Sequence, residues 1–248
     1  MGSFENPPTF RPGIVDPDGS NFTLLLPPDV PDGQGIGCNA WTPDAARLLC
    51  GLDNEGGNLL PGVVSIRSSD GGDLVRLTTN PYGAHDVPTD VSPDGTQFVF
   101  LRFRPGPQKG QRPFAAEQVA LFVENIDGTG LRQITPYGVA AAHEQASAQW
   151  SPDGQEIISE TREGILFVVH PDGSGLKLIP LQVGSHNQPY FAFEPDFSPD
   201  GTHIVFCMFL NGQEDLYTAK ADGSDVVQIT DTPDFENGPD WGTHPLAT

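Results

Sequence analysis

The sequence predicts an all-β fold, a β-propeller of four-stranded blades, from three observations. A Ser/Thr-Pro-Asp-Gly turn recurs at near-even spacing. A second Asp-Gly turn alternates with it. Short apolar runs of strand length flank both turns. The first turn reads Val91-Ser92-Pro93-Asp94-Gly95, Trp150-Ser151-Pro152-Asp153-Gly154 and Phe197-Ser198-Pro199-Asp200-Gly201. Trp41-Thr42-Pro43-Asp44-Ala45 is a looser copy, and Trp241-Gly242-Thr243-His244-Pro245 a degenerate one. Proline presets φ and Asp-Gly accepts tight-turn geometry, so each unit reads as strand, turn, strand.

The elements follow in chain order. Gly13-Ile14-Val15 and Phe22 to Leu26 flank Asp18-Gly19 and read as the third and fourth strands of a blade. The second-pattern turns then recur at Asp70-Gly71, Asp127-Gly128, Asp172-Gly173 and Asp222-Gly223, at intervals of 45 to 57 residues. Apolar runs such as Phe98-Val99-Phe100, Ile157-Ile158 and Ile204-Val205-Phe206 follow the first-pattern turns. Each repeat therefore holds two hairpins and four strands. The head and tail together equal about one more repeat, with a first strand expected around Trp241. The count is five blades, with six also compatible, closed by pairing of N- and C-terminal strands. Residues 1–248 are expected as a single propeller domain.

Composition narrows the function. The chain carries 12 Lys+Arg against 33 Asp+Glu, a formal charge of −21. That balance repels phosphate backbones and argues against nucleic-acid partners. No apolar run approaches the ~18 residues of a spanning helix, so no membrane insertion is expected. Met1 to Phe10 lack the charged and apolar regions of a secretory signal. The 29 Gly and 25 Pro fit a turn-dense fold. Cys38, Cys50 and Cys207 are too few for a disulfide framework. Cys38 and Cys50 lie on the two arms of one expected hairpin, where a bridge is conceivable. The favoured expectation is that they are small buried hydrophobes.

The Trp-Ser-Pro-Asp-Gly unit and the downstream Asp-Gly-Ser/Thr-Gly hairpin resemble the TolB-type propeller repeat, a WD40-like pattern, over nearly the whole chain. Members more often have six blades. The resemblance implies an extracytoplasmic location, periplasmic or secreted, and interaction roles, but the family is diverse in function.

Blade-to-blade links and second-to-third strand loops share one face of a propeller and surround the channel mouth. Three of these links carry a histidine followed by a polar residue: His85-Asp86, His143-Glu144 and His186-Asn187. The fourth carries Glu236-Asn237. No cofactor is certain. His85, His143 and His186 with Gln145 make a candidate set for a divalent metal, manganese, zinc or calcium. Tyr82, Tyr137, Tyr190 and Glu236 are candidate ligand-binding residues for a protein partner or a small, carbohydrate-like ligand. The loop from Arg102 to Gln118 holds Arg102, Arg104, Lys109 and Arg112, a candidate arm for an anionic ligand or partner. Oligogalacturonate lyases are propellers on similar repeats that hold a metal with several His and a Gln. By that analogy His85, His143 and His186 would be catalytic-site residues, with Arg102 or Arg104 facing a uronate carboxylate. No Gly-x-Ser-x-Gly elbow or phosphate-binding loop is present. The expected function is a non-catalytic binding or scaffolding propeller. The alternative is a metal-dependent enzyme at the channel mouth, such as a uronate lyase.

Overall fold

A computed structural model describes residues 11–25, 27–31, 34–52, 59–104, 119–141, 147–183 and 190–242. Among them every regular element is a β-strand. A two-stranded hairpin, β1 (Gly13–Ile14) with β2 (Thr23–Leu24), precedes four antiparallel sheets of four strands. Sheet 1 holds β3 (Ile36–Trp41), β4 (Arg47–Leu52), β5 (Gly62–Arg67) and β6 (Val75–Arg76). Sheet 2 holds β7 (Asp86–Val91), β8 (Gln97–Phe103), β9 (Val119–Asn125) and β10 (Arg132–Gln133). Sheet 3 holds β11 (Ala148–Trp150), β12 (Ile157–Glu160), β13 (Leu166–Val169) and β14 (Lys177–Ile179). Sheet 4 holds β15 (Phe191–Phe197), β16 (His203–Leu210), β17 (Gln213–Lys220) and β18 (Val227–Gln228). Each is a meander in chain order. The expected terminal strand around Trp241 pairs with nothing among the described residues.

The Pro-Asp-Gly turns explain both the hairpins and the packing of sheet on sheet. In the second repeat Ser92 Oγ donates to Asp94 Oδ1 at 2.7 Å, and the same oxygen accepts Thr96 N at 3.0 Å. Ser92 Oγ accepts Gln97 N at 2.9 Å, and Gly95 N closes the turn on Ser92 O at 2.8 Å. Ser151 with Asp153, and Ser198 with Asp200, repeat the pattern. These hydrogen bonds hold the turn aspartates below their ordinary pKa. The turns also touch: a Cβ on Gly154, at φ 70°, would lie 3.9 Å from Pro93 Cδ of the preceding sheet. Gly95 meets Pro43, and Gly201 meets Pro152, in the same way.

The core is a series of apolar layers between consecutive sheets. Phe98 and Phe100 lie with Leu49, Val63 and Leu77 between sheets 1 and 2. Leu101, Leu121, Trp150 and Phe167 fill the next gap. Ile158, Leu166, Phe206 and Met208 fill the gap between sheets 3 and 4. Leu25, Val30, Leu48 and Ile66 join sheet 1 to the segment after the N-terminal hairpin. Alternating side chains thus face two different gaps, as strands buried on both faces require.

One expectation is corrected. Cys38 and Cys50 are not free buried thiols but form a disulfide between directly paired positions of β3 and β4. Antiparallel pairing sets these two side chains opposite each other, which brings the sulfurs together. Cys207 is free and buried.

Candidate functional site

The links ending at Asp86 and Trp241 carry the chemistry that the structure describes in full. Asp86 opens β7 and is fully buried. Arg102, opposite it on β8, meets it with two bonds: Nε to Oδ1 at 2.9 Å and Nη2 to Oδ2 at 2.6 Å. Thr78 Oγ1 donates to Oδ2 at 2.6 Å, and Asn80 Nδ2 donates to Oδ1 at 3.0 Å. The guanidinium lies 5.1 Å from the Phe100 ring centroid and 5.0 Å from that of Phe122. Burial pulls the Arg102 pKa down, but the hydrogen bond and charge of Asp86 outweigh it and leave it raised. Arg102 is thus a buried partner of Asp86 between aromatic rings.

The exposed part of this rim is different. The Arg104 guanidinium lies 4.1 Å above the Tyr137 ring centroid. Tyr137 is half-buried and Tyr82 is 49% exposed. Tyr82 N is held by Asn80 Oδ1 at 2.9 Å, so one asparagine orders both the Asp86 clasp and this turn. His85 is half-buried, and its backbone carbonyl accepts Phe103 N at 3.0 Å and Asn80 Nδ2 at 2.9 Å. Tyr190 packs against the layer between sheets 3 and 4, away from the Tyr137 cluster. Glu236 is half-buried, and its Oε1 accepts Thr232 Oγ1 at 2.6 Å. His143, Gln145, His186, Lys109 and Arg112 lie outside the described residues. Among the described residues no three His, Cys, Asp or Glu side chains converge on a metal-sized point.

Carboxylates that sequence reasoning missed lie on the first two strands of the sheets and in the segment after sheet 4. Asp90 Oδ2 accepts Trp150 N at 2.8 Å from the next sheet, and Asp196 Oδ2 accepts Trp241 N at 2.9 Å. Burial pushes Asp90 up to about 7, with the charges of Asp196 and Asp240 adding to it. Burial and then Asp240 push Asp196 up to about 6, against the hydrogen bonds from Trp241 and Phe197. The charges of Asp196 on sheet 4 and of Asp240 beyond it both add to the shift of Asp90 on sheet 2. Glu160, fully buried, is raised well above its ordinary value by burial. Glu194 adopts φ 51° at a bulge in β15. It borders a cleft of about 160 Å³ with Ser147, Gln149, Pro195, Gly238 and Pro239. A signal for the first three did exist: Asp90, Asp196 and Asp240 each stand one residue before a repeat anchor, at Val91, Phe197 and Trp241.

Chemically, the Asp86 clasp is saturated, the Tyr82–Tyr137–Arg104 edge offers aromatic and cationic contact, and burial raises the Asp90 and Asp196 carboxyls above the ordinary carboxylate range.

No family model matches the chain. A 96-residue segment is 32% identical to the Tol-Pal system protein TolB of Anaeromyxobacter dehalogenans, covering 38% of this chain and 21% of that relative. The chain thus spans about a fifth of the curated relative it matches. The structure resembles TolB of Acinetobacter baumannii, with a TM-score of 0.65 at 18% identity over 92% of this chain and 50% of that one. It also resembles a TolB-type protein of Agrobacterium tumefaciens, with a TM-score of 0.61 at 18% identity over 85% and 69%. The chain is similar to TolB in sequence over this segment and in fold over most of its length.

Proposed function

We propose that the protein is a non-catalytic, TolB-like binding propeller whose channel-mouth rim receives a protein partner. The observation that carries this reading is the division of labour between two neighbouring arginines. Arg102 is 4% exposed and engaged by Asp86 through two hydrogen bonds, so it is poorly placed to meet a substrate carboxylate. Arg104 instead stacks on Tyr137 beside exposed Tyr82, a pairing of residue types that suits protein contact. The sequence relative, a Tol-Pal system protein, supports a protein as the partner class.

In the same reading five blades close through the terminal segments. Two features support it. β1 and β2 pair as a separate antiparallel hairpin, as the third and fourth strands of a fifth blade would, and Trp241 N is held by Asp196 as Trp150 N is held by Asp90. The Cys38–Cys50 disulfide supports an extracytoplasmic location, since such bonds persist in oxidising compartments.

The test is affinity capture from an extracytoplasmic extract with cross-linking, using wild type and a Tyr82→Ala/Arg104→Ala variant. A partner cross-linked at this rim and lost at least tenfold in the variant, with the melting curve unchanged, is the expected result. Elemental analysis of tag-free protein runs beside it. About one equivalent of divalent metal, lost in His85→Ala, would overturn the reading in favour of a metal-dependent enzyme at the His85, His143, His186 and Gln145 positions.

A further inference from the structure

We propose that the Tyr82–Tyr137–Arg104 edge is a carboxylate-receiving site, across which the partner lays a peptide segment bearing Asp or Glu. The inference rests on the partner-binding reading above and names the chemistry of that partner. Arg104 is the starting point. The chain holds 33 Asp+Glu against 12 Lys+Arg, so acids are at hand for its cations. Arg47, Arg67 and Arg102 each meet an aspartate, and Arg132 donates to Pro171 O at 2.7 Å. Arg104 does neither. Among the described residues no acid pairs with it and no hydrogen bond reaches its guanidinium, which rests on the Tyr137 ring alone. Asp86, in the same link as Tyr82, is already ion-paired with Arg102 at 2.6 Å and does not answer Arg104. A positive charge is therefore left uncompensated on the rim of an acidic chain.

The core holds this charge in place. Phe98, Phe100 and Phe122 form a column with successive ring centroids 5.4 and 5.7 Å apart, and Tyr137 continues it 6.3 Å from Phe122. Phe98 and Phe100 are fully buried, which anchors the column in the layer between sheets 1 and 2. Arg104 caps its outer end, 4.1 Å from the Tyr137 centroid. Contact with the ring uses the charge of the guanidinium and none of its N–H donors, so the donors remain for a ligand. Holding the fork before the ligand arrives also lowers the entropy lost on binding.

Two phenols add donors of the same sense. Tyr82 is 49% exposed and Tyr137 half-buried, and neither hydroxyl is hydrogen-bonded among the described residues. Asn80 Oδ1 fixes Tyr82 N at 2.9 Å, which ties this phenol's turn to the Asp86 clasp. Burial and then Tyr82 raise the Tyr137 pKa, so that phenol keeps its proton at neutral pH. A guanidinium fork beside phenolic O–H groups matches a carboxylate, whose two oxygens only accept. The open setting favours a peptide over a free acid. A free acid gains the polar contacts alone, whereas a peptide segment also covers the rings of Tyr82 and Tyr137, a residue type enriched at protein interfaces.

Titration of the full chain with two blocked peptides tests this: acetyl-Gly-Glu-Leu-Glu-Gly-amide and its Gln counterpart. Nuclear magnetic resonance follows the Arg104 Nε–H and the Tyr82 and Tyr137 ring signals. The salt is about 0.15 M, where a Debye length of about 8 Å screens the net charge of the chain. The Glu peptide is expected to shift all three signals along one saturable curve, with an affinity roughly tenfold above that of the Gln peptide. Arg104→Gln should abolish that preference with an unchanged melting curve. Tyr82→Phe/Tyr137→Phe, which keeps the rings and removes the hydroxyls, should weaken Glu binding by roughly threefold. Equal binding of the two peptides, or a Glu preference that survives Arg104→Gln, would overturn the site. Free galacturonate that matches the Glu peptide at equal concentration would overturn the peptide in favour of a uronate. The two readings fail separately. A captured partner lost in Tyr82→Ala/Arg104→Ala, with no Glu preference, would overturn the carboxylate site and leave the binding propeller standing. A Glu preference with no captured protein would uphold the site and overturn the partner reading.

Discussion

Between sheets 1 and 2 a buried carboxylate, Asp86, meets a guanidinium. Between sheet 4 and residues 231–242 half-buried carboxylates, Glu194 and Asp196, meet backbone N–H groups. The two seams start from the same local frame. Thr78 Oγ1 accepts Val63 N, and Thr230 Oγ1 accepts Leu216 N, each at 2.9 Å. Each hydroxyl then turns to an acid in the following link, Asp86 in one case and Glu236 in the other. What differs is the strand that comes next. β8 delivers Arg102 to Asp86, whereas no described strand delivers a cation to Glu236. One frame therefore yields an ion-paired clasp where a cation is supplied and an acid held by threonine hydroxyls where it is not.

Removing one half of the clasp breaks the comparison most. Asp86→Ala leaves Arg102 buried without its partner and should cost ~3–5 kcal/mol. Urea denaturation at pH 7 measures it, and a loss under 1 kcal/mol would show that Arg102 finds solvent. Reducing the Cys38–Cys50 bridge, or replacing both cysteines by Ala, should cost ~2–3 kcal/mol, because it closes a short loop within one sheet. Its unfolding midpoint should drop with reductant in wild type and not in the variant.

Glu124 sharpens the contrast within the clasp seam itself. Burial pushes it up to about 7 although the Arg102 charge opposes the shift, and its Oε2 meets no donor. Its contribution is complete below its unfolded value of 4.5 and is lost as pH rises to about 7. Glu124→Gln should therefore stabilise by ~1–2 kcal/mol at pH 8 and leave stability at pH 4 unchanged. A pH series of melting curves that stays parallel for the two proteins would contradict this. Smallest is Gly154→Ala. The added methyl fits beside Pro93 at 3.9 Å, so the cost is the left-handed backbone alone, ~1 kcal/mol.

Much of the fold was legible because a Pro-Asp-Gly turn carries its own instructions. Ser92, Asp94 and Gly95 satisfy one another within a few residues, so strand–turn–strand could be read at every copy. The rim was less legible. His85 and Asp86 stand adjacent in sequence, but alternation sends the carboxylate into the seam and leaves the imidazole half-buried. Asp90, Asp196 and Asp240 were overlooked, although each stands one residue before an anchor, because a single Asp before a strand anchor has no distinctive local chemistry.

By itself the sequence determined the all-β class, the repeat boundaries, the two hairpins of each complete sheet and the acidity of the chain. Those rest on turn chemistry and alternation, which act over a few residues. Only the tertiary structure decided that Arg102 belongs to Asp86, that Cys38 and Cys50 are joined, and that Asp196 receives Trp241 across 45 residues of chain. Those outcomes depend on which strands become neighbours and how deeply a charge is buried, and neither quantity is local.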